Sequence, residues 1–460
     1  MAAMLLSSFI LATLYSTISS SGYAPNWESL DSRPLPGWFD QSKIGIFIHW
    51  GVFSVPSFSG AFIWYAWKGY KTPAIVKFMA DNYPPDFTYP DFAAQFTAEF
   101  YDPDKWAKIF KASGAKYVVL VTKHHDGFTN WPSSYSWNWN SMDVGPRRDL
   151  TGELAAAVRR QPDMKFGVYH SLYEFYNPLY LRDKANKYKT QEFVKTKTMP
   201  ELYELVNKYK PEVIWSDGAW EAKDTYWNST NFLAWLYNNS PIKDTVVTND
   251  RWGSNTPCKH GGFWNCNDKY NPGVLVKHKW ENCISLDKGS WGFRRPATYD
   301  DYMSIEELLT TLAETISCGG NILINVGPTH DGRIVPIFEE RLLQLGSWLD
   351  LNGEAIYSSI PWSYQNDTIT SGVWYTSRKT GNETVVYAIA LNWPKNDVLV
   401  LGSPKITPAT KVDLIGYPAT LSWTTLPEVK SGMIITIPPL SMSKVVCKWA
   451  WVFRMKGLGN

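Results

Sequence analysis

The sequence lacks the features that mark nucleic-acid-binding and membrane proteins. Its 45 basic and 43 acidic residues are spread along the chain and give a formal net charge of +2. There is therefore no basic face or acidic tail to attract a polyanion. After the N-terminal segment, no apolar run is long enough to cross a bilayer. We expect neither nucleic acid nor a membrane as a partner.

Cysteine is also scarce. Five cysteines are too few for a disulfide scaffold, and an odd number leaves at least one of them unpaired or intermolecular. Cys258 and Cys266 flank a short Gly-containing loop, which a disulfide between them could close in an oxidising compartment. The remaining cysteines are Cys283, Cys318 and Cys447.

Two motifs are missing where they would decide the chemistry. A nucleotide-binding doubly wound sheet needs G-x-G-x-x-G after its first strand, and Gly45 and Gly51 do not have that spacing. Barrel metallohydrolases often place His-x-His on one strand, and none of the seven histidines forms that triplet. His124 and His125 are adjacent, so on an extended strand they would point to opposite faces. A dinucleotide and a metal are both disfavoured.

Aromatic residues, by contrast, are abundant. The chain has 24 Trp and 26 Tyr, whose flat apolar faces and polar atoms suit the C–H faces and hydroxyls of sugars. Core packing is an equally good explanation from composition alone, since buried Trp and Tyr need no ligand.

The N-terminal segment and four sequons indicate the secretory pathway. Residues 1–22 are apolar and end in small residues, as in a secretory signal peptide. They contain no basic residue, so a retained anchor is the weaker alternative. Asn-x-Ser/Thr sequons, which are potential glycosylation sites, occur at Asn228, Asn238, Asn366 and Asn382.

From Lys43 to about Pro328, apolar runs alternate with amphipathic stretches, which predicts parallel strands joined by helices. Polar or aromatic residues stand near the end of almost every predicted strand. In a (β/α)8 barrel these ends form the active site, so we favour such a barrel over 23–361 and a C-terminal antiparallel β-sandwich over 362–460. The predicted strands are Ile44–Trp50, Tyr117–Lys123, Lys165–Ser171, Glu212–Ser216, Thr245–Asn249, His278–Ile284 and Asn321–Val326.

Three carboxylates are candidates for catalysis. Asp217 follows an apolar run and precedes Gly218, and an isolated Asp-Gly is most often a turn. Glycoside cleavage, however, needs two carboxyl groups, and Glu281 or Asp268 can supply the second. Glu281 follows Trp280, an apolar neighbour that would raise its pKa, or it forms an ion pair with a nearby lysine. The sequence does not choose between Glu281 and Asp268.

Imidazole and guanidinium groups are candidates for holding sugar hydroxyls. His49, His124 and His125 can donate or accept hydrogen bonds at different depths, although core histidines are the alternative. Arg251 has five fixed donors with which to bind a hydroxyl or orient a carboxylate. A salt bridge from Arg251 to Asp250 is equally compatible with the sequence.

Several motifs together resemble the animal α-L-fucosidases, glycoside hydrolase family 29. The run from Pro272 to Cys283 fits the family signature P-x-x-L-x-x-x-K-W-E-x-C, and Thr225–Ser240 looks most like the tissue, lysosomal member. The other matching motifs are Gly45–Gly51, Lys123–Phe128, Trp215–Gly218, Asn249–Gly253 and Gly319–Asn321.

The resemblance implies a retaining exo-α-L-fucosidase that acts on glycoprotein or glycolipid glycans in the lysosome or after secretion. It implies no metal or organic cofactor, and a homotetramer. Asp217 matches the nucleophile, Glu281 and Asp268 match positions proposed for the acid/base, and Cys283 is the signature cysteine. The implied contacts to fucose are His49, Trp50, His124, His125, Tyr169, Trp215 and Arg251.

One departure from the family pattern lies in the loop after the first strand. The family commonly has Ser-Glu-Trp there, and Ala61 stands in place of the carboxylate expected to bind fucose hydroxyls. Each lost charged hydrogen bond would cost roughly 1.5–3 kcal/mol. The alternative function is therefore a fucose-binding paralogue with weak or no catalysis.

Overall fold

The computed structural model describes residues 22–381, 383–427, 431–440 and 447–459. The predicted signal peptide, apart from Gly22, lies outside these ranges, as does the sequon at Asn382. In the part of the chain that is described, no helix has both the length and the apolar character needed to cross a membrane.

Seven buried parallel strands form the central sheet of the first domain. These strands are β1 (Ile44–Ile48), β2 (Tyr117–Lys123), β3 (Lys165–Ser171), β4 (Val213–Asp217), β5 (Val247–Thr248), β6 (Trp280–Ser285) and β7 (Gly320–Val326). Their order is β5-β4-β3-β2-β1-β7-β6. All seven predicted strands are present, two with the predicted bounds and five with ends shifted by one or two residues. Strands covered on both faces are recognisable because they are continuous apolar runs.

An irregular segment spans the gap between β5 and β6. The backbone N–H of Phe263 donates to the Thr248 carbonyl at 2.9 Å, and the N–H of Glu281 donates to the Trp264 carbonyl at 2.8 Å. This segment takes the eighth position of the barrel without forming a regular strand among the described residues, which explains why no eighth strand was evident in the sequence.

Helices surround this sheet, and their caps largely follow the sequence. The side chains of Asp102 and Asp149 cap the helices that follow them, and Ser304 forms a capping box with Glu307 at the start of its helix. The helix Met199–Tyr209 has no side-chain cap, because a π-helical turn over Val194–Thr198 continues directly into it. The helices are α1 (Trp27–Asp31), α2 (Gly37–Ser42), α3 (Ile63–Lys68), α4 (Pro73–Asn82), α5 (Pro103–Ala112), α6 (Leu150–Arg160), α7 (Pro178–Ala185), α8 (Met199–Tyr209), α9 (Asp224–Trp227), α10 (Ser229–Asn238), α11 (Ile305–Ser317) and α12 (Pro336–Asn352).

In its described residues, the C-terminal domain is an antiparallel sheet of eight strands. They are β8 (Ile360–Asn366), β9 (Val373–Thr380), β10 (Glu383–Ala390), β11 (Val398–Leu401), β12 (Lys411–Leu414), β13 (Thr420–Thr425), β14 (Met433–Thr436) and β15 (Trp451–Lys456). Their order is β11-β14-β13-β12-β15-β10-β9-β8. Leu401 of β11 and Tyr375 of β9 come from distant strands yet share one buried core, so the sheet curls to face itself. The predicted fold class is confirmed.

Candidate active site

A cavity of about 340 Å³ opens at the carboxyl ends of the barrel strands. This is where a (β/α)8 barrel places its catalytic residues. Nine of the predicted site residues line it, namely His49, His124, His125, Tyr169, Trp215, Asp217, Arg251, Asp268 and Cys283. Two predicted site residues, Trp50 and Glu281, are not among the lining residues.

Asp217 is the last residue of β4, and three groups converge on its carboxylate. Arg251 Nη1 lies 3.1 Å from Oδ1, and the Tyr169 hydroxyl donates to Oδ2 at 2.7 Å. His125 Nε2 lies 3.7 Å from Oδ2. Burial raises the pKa of Asp217, but the Arg251 charge, His125 and the Tyr169 hydrogen bond outweigh burial and hold this pKa below its ordinary value. The carboxylate is thus kept ionised.

The turn after Asp217 requires glycine. Gly218 has a φ of +72°, and a Cβ there would lie 2.5 Å from the Tyr173 ring. The Asp-Gly pair is therefore a turn, as such pairs usually are, and that turn is what presents the carboxylate at the cavity.

Arg251 joins Asp217 to a second carboxylate. Its Nη2 atom lies 2.8 Å from Asp268 Oδ1, and its guanidinium stacks 4.7 Å above the Trp215 ring. The Asp268 side chain is 53% exposed, so it faces the open side of the cavity. Arg251 has no ion pair with Asp250, whose carboxylate accepts backbone N–H groups of Cys258, Asn265 and Cys266 instead.

Glu281 lies in the closed interior of the barrel. It lies within a strand, as predicted, but as the second residue of β6, far from the strand end that faces the cavity. Its carboxylate accepts the Tyr117 hydroxyl at 2.6 Å and Trp215 Nε1 at 2.9 Å, and the residue has no exposed surface. Burial raises the pKa of Glu281 to about 7. Lys279 pairs with Asp40 instead of Glu281.

The three predicted histidines come together on one wall of the cavity. The rings of His124 and His125 lie 4.1 Å apart and those of His49 and His124 5.8 Å apart. β2 ends at Lys123, and the chain then turns. The expectation that adjacent His124 and His125 point to opposite faces is therefore wrong, because it assumed an extended strand.

Hydrogen bonds set the tautomers of two of these rings. His49 Nδ1 donates to Asn325 Oδ1 at 2.7 Å. His125 Nδ1 donates to Ser171 Oγ at 2.6 Å, because the Ser171 hydroxyl itself donates to the Tyr173 carbonyl. Burial lowers the pKa of each ring to about 4. Both are neutral near pH 7, which leaves each Nε2 as an acceptor.

Trp50, Cys283 and Ala61 have surroundings of different kinds. Trp50 is buried against other aromatic rings, and its Nε1 donates to the Thr329 carbonyl at 2.7 Å. Cys283 borders the cavity as a free thiol whose pKa burial raises to about 12. Ala61 is buried and is not a lining residue, whereas its neighbour Phe62 is one.

Aromatic side chains that the sequence did not single out complete the cavity. Phe47 and Trp291 line its inner part, and Phe62 and Trp220 lie at its edge. Trp220 lies in the loop directly after β4, and loops after barrel strands form the active-site face, which was the available signal for it.

The two cysteines that flank the short loop are paired. Cys258 and Cys266 form a disulfide, as predicted, and it closes the loop that leads to Asp268.

Over residues 22–381, 383–427, 431–440 and 447–459, no group of three or more His, Cys, Asp or Glu side chains is arranged to hold a metal ion.

The remaining sequons differ in accessibility. Asn366 is exposed. Asn238 is partly buried, and its side-chain amide bonds both backbone groups of Tyr23. Asn228 is also partly buried and adopts a left-handed conformation between α9 and α10.

Comparison with known proteins gives the same assignment over nearly the whole chain. Residues 10–354 match the α-L-fucosidase family, and residues 365–456 match the α-L-fucosidase C-terminal domain. A solved structure of Thermotoga maritima α-fucosidase in complex with fucose superposes with a TM-score of 0.78 at 32% identity, covering 94% of this chain and all of that chain.

Animal relatives are more similar still. An α-L-fucosidase of Branchiostoma floridae is 59% identical over 450 residues, covering 98% of this chain and 99% of the relative. Human tissue α-L-fucosidase is 57% identical over 436 residues, covering 95% of this chain and 92% of the relative. Human plasma α-L-fucosidase is 56% identical over 438 residues, with 95% and 93% covered.

These identities do not separate the tissue enzyme from the others, so the predicted likeness to the tissue member in particular is not confirmed. The family itself is established by matches that cover both domains. This chain belongs to the α-L-fucosidase family of glycoside hydrolases.

Proposed function

We propose that this protein is a retaining exo-α-L-fucosidase that removes terminal α-linked L-fucose from glycoprotein or glycolipid glycans. The observation that carries the proposal is the pair of carboxylates held by one guanidinium. Asp217 and Asp268 both contact Arg251, which places them close together. Retaining enzymes need a short separation of about 5–5.5 Å between the two carboxyl groups, whereas inverting enzymes need more.

Asp217 is the proposed nucleophile. Its ionised carboxylate attacks the anomeric carbon of fucose and forms a covalent fucosyl-enzyme as the glycosidic bond breaks. Arg251 and Tyr169 orient the two carboxylate oxygens. The low pKa of Asp217 keeps the carboxylate ready to react at acidic pH.

Asp268 is the proposed acid/base. It donates a proton to the departing oxygen and later removes a proton from the water that hydrolyses the fucosyl-enzyme. Its position on the open side of the cavity supports this role, since the leaving group must depart toward solvent. Glu281 is enclosed behind Trp215, and both of its carboxylate oxygens are already hydrogen-bonded.

The cavity supports recognition of a single terminal sugar. Its volume of about 340 Å³ lies at the small end of ligand sites. The neutral rings of His49 and His125 offer Nε2 acceptors for hydroxyl groups, and Phe47, Trp215 and Trp291 border the cavity with apolar surface. These steps need no metal or organic cofactor.

We also propose that the protein is secreted or lysosomal, with residues 1–22 removed as a signal peptide, and that it forms a homotetramer as the family resemblance implies. Asn366 is the best placed of the described sequons for glycosylation, because it is exposed. The names of the human tissue and plasma relatives agree with either destination.

The function is tested with the purified protein and 4-nitrophenyl α-L-fucoside. We expect hydrolysis, with α-L-fucose as the first product by NMR. Asp217→Gly should lose activity by about 10³-fold or more, and azide should restore turnover by forming β-fucosyl azide. Asp86→Gly, at an exposed aspartate in a turn, is the matched control and should keep full activity.

Other outcomes separate the alternatives. Turnover by Asp217→Gly without azide would contradict the nucleophile assignment. Fucose binding without any turnover by the wild type would indicate a non-catalytic paralogue. Nothing in the cavity supports that paralogue, because Asp217, Asp268 and the histidines are all in place despite Ala61.

A further inference from the structure

The edge of the cavity carries two exposed aromatic rings, which we call the aromatic rim. Trp220 is 48% exposed and Phe62 is 37% exposed, and both also line the cavity. Both contact His125, whose ring centroid is 5.2 Å from each of theirs. Apolar rings left open to water next to a binding cavity commonly mark a surface that a ligand covers.

The rim is distinct from the inner part of the cavity. His49, His124 and Tyr169 are at least 95% buried. A ligand can therefore contact their polar atoms only after it has entered the cavity. Half of the Trp220 surface, in contrast, faces solvent. A sugar held in the inner part of the cavity would leave this outer surface uncovered, and the group attached to that sugar is the part of the substrate that extends outward.

The segment that carries Trp220 is anchored to the rest of the domain. The carboxylate of the next residue, Glu221, accepts the hydroxyls of Tyr180 and Tyr188 and pairs with Lys184. On both sides of Trp220 the backbone is fixed, because Trp227 Nε1 donates to the carbonyls of Ala219 and Ala222. The Trp220 ring itself packs edge to face with the rings of His125 and Tyr173, whose centroids are 5.2 and 5.3 Å away, so binding costs little side-chain entropy there.

We propose that Trp220, with Phe62, forms the binding surface for the leaving-group sugar, the pyranose to which the terminal fucose is attached. The inference rests on the proposed function, because it assumes a fucoside in the cavity. An indole stacks on the C–H face of a pyranose, and this contact does not depend on the arrangement of the hydroxyl groups. The rim therefore accepts galactose and N-acetylglucosamine alike, which makes it a site for affinity rather than for linkage selection.

The test compares substrates with and without a leaving-group sugar. α-L-Fucosyl fluoride has a single atom as its leaving group and cannot contact the rim. For Trp220→Ala we expect kcat/KM to fall about tenfold on α-L-fucosyl-galactose and on α-L-fucosyl-N-acetylglucosamine, mostly through KM. The value for fucosyl fluoride should stay within about twofold of the wild type.

Two further variants control for structure. Trp220→Phe keeps a flat ring and should retain most of the activity on both disaccharides. Trp137→Ala removes an indole that is 75% exposed but lies away from the cavity, and it should change nothing.

The outcomes are distinguishable. An equal fall of Trp220→Ala on fluoride and disaccharides would overturn the proposal, since it would indicate a damaged cavity. Unchanged kinetics on both disaccharides would overturn it as well. Failure of the wild type to hydrolyse fucosyl fluoride would instead contradict the proposed function itself.

Discussion

The open cavity in front of Trp215 and the closed interior behind it each hold a carboxyl group that the sequence marked as a catalytic candidate. In the cavity, Asp217 faces a cation, and its pKa is held below the ordinary value. In the interior, Glu281 meets two neutral donors, and burial raises its pKa to about 7. A raised pKa suits a general acid, yet here it accompanies a position that substrate cannot reach. Access therefore decides between the candidates before acidity does.

The largest effect expected from this contrast is at Asp268. We expect Asp268→Asn to reduce kcat/KM on fucosyl disaccharides by about 10²- to 10⁴-fold, because their leaving oxygen needs a proton. The kcat/KM on fucosyl fluoride should fall much less, because fluoride departs with less help from a proton donor. Glu281→Gln is the matched variant and should show no such dependence on the leaving group. If Glu281→Gln shows that dependence and Asp268→Asn does not, the two assignments must be exchanged.

The next effect concerns stability in the closed interior. The folded state raises the pKa of Glu281 from 4.5 to about 7, so between these values the folded state binds more protons than the unfolded state. Stability should therefore fall as pH rises from 4.5 to 7, by about 1.4 kcal/mol per pH unit and about 3 kcal/mol in all. Urea unfolding of Glu281→Gln should lack this contribution. Identical pH dependence in both proteins would show that Glu281 does not titrate in this range.

A smaller effect is expected at Tyr169, on the cavity side of Trp215. Tyr169→Phe removes a hydrogen bond to ionised Asp217, so the pKa of Asp217 should rise. The acidic limb of the kcat/KM profile should move to higher pH, and activity should fall about tenfold or more. Tyr117→Phe removes the corresponding hydroxyl from Glu281 and should leave that limb in place. If the acidic limb of the kcat/KM profile moves to higher pH in both variants, the two regions are coupled through Trp215.

The smallest effect is expected at the disulfide of the Asp268 loop. Replacing Cys258 and Cys266 with serine should cost about 2–3 kcal/mol of stability, as expected for a short closed loop. Activity should fall a few-fold on disaccharides and stay unchanged on fucosyl fluoride, because only Asp268 is displaced. Equal losses on both substrates would show that the disulfide also supports the Asp217 side of the cavity.

Much of this architecture was predictable because it depends on local patterns. Strands covered on both faces are continuous apolar runs, so all seven were found to within one or two residues. Asp217 was predictable because an apolar strand followed by glycine presents a carboxylate at a strand end. The paired cysteines were predictable because they enclose a short loop.

Other features depended on where a residue lies along its strand and on where the chain turns in three dimensions. Glu281 stands near the beginning of β6, and Cys283, two residues further along the same face of the strand, is the residue of β6 that borders the cavity. His124 and His125 share a wall because the chain turns after Lys123, which strand periodicity does not reveal.

The sequence by itself determined the family, the parallel barrel, the antiparallel C-terminal domain and a set of polar residues for one site. These follow from hydrophobic period and from motifs a few residues long. Only the tertiary structure decided which of those residues meet, because Arg251, Asp217 and Asp268 come from three separate segments joined by nonlocal packing. It also placed Glu281 behind Trp215 and Trp220 at the edge of the cavity, since access to substrate is a property of the whole barrel and not of any single segment.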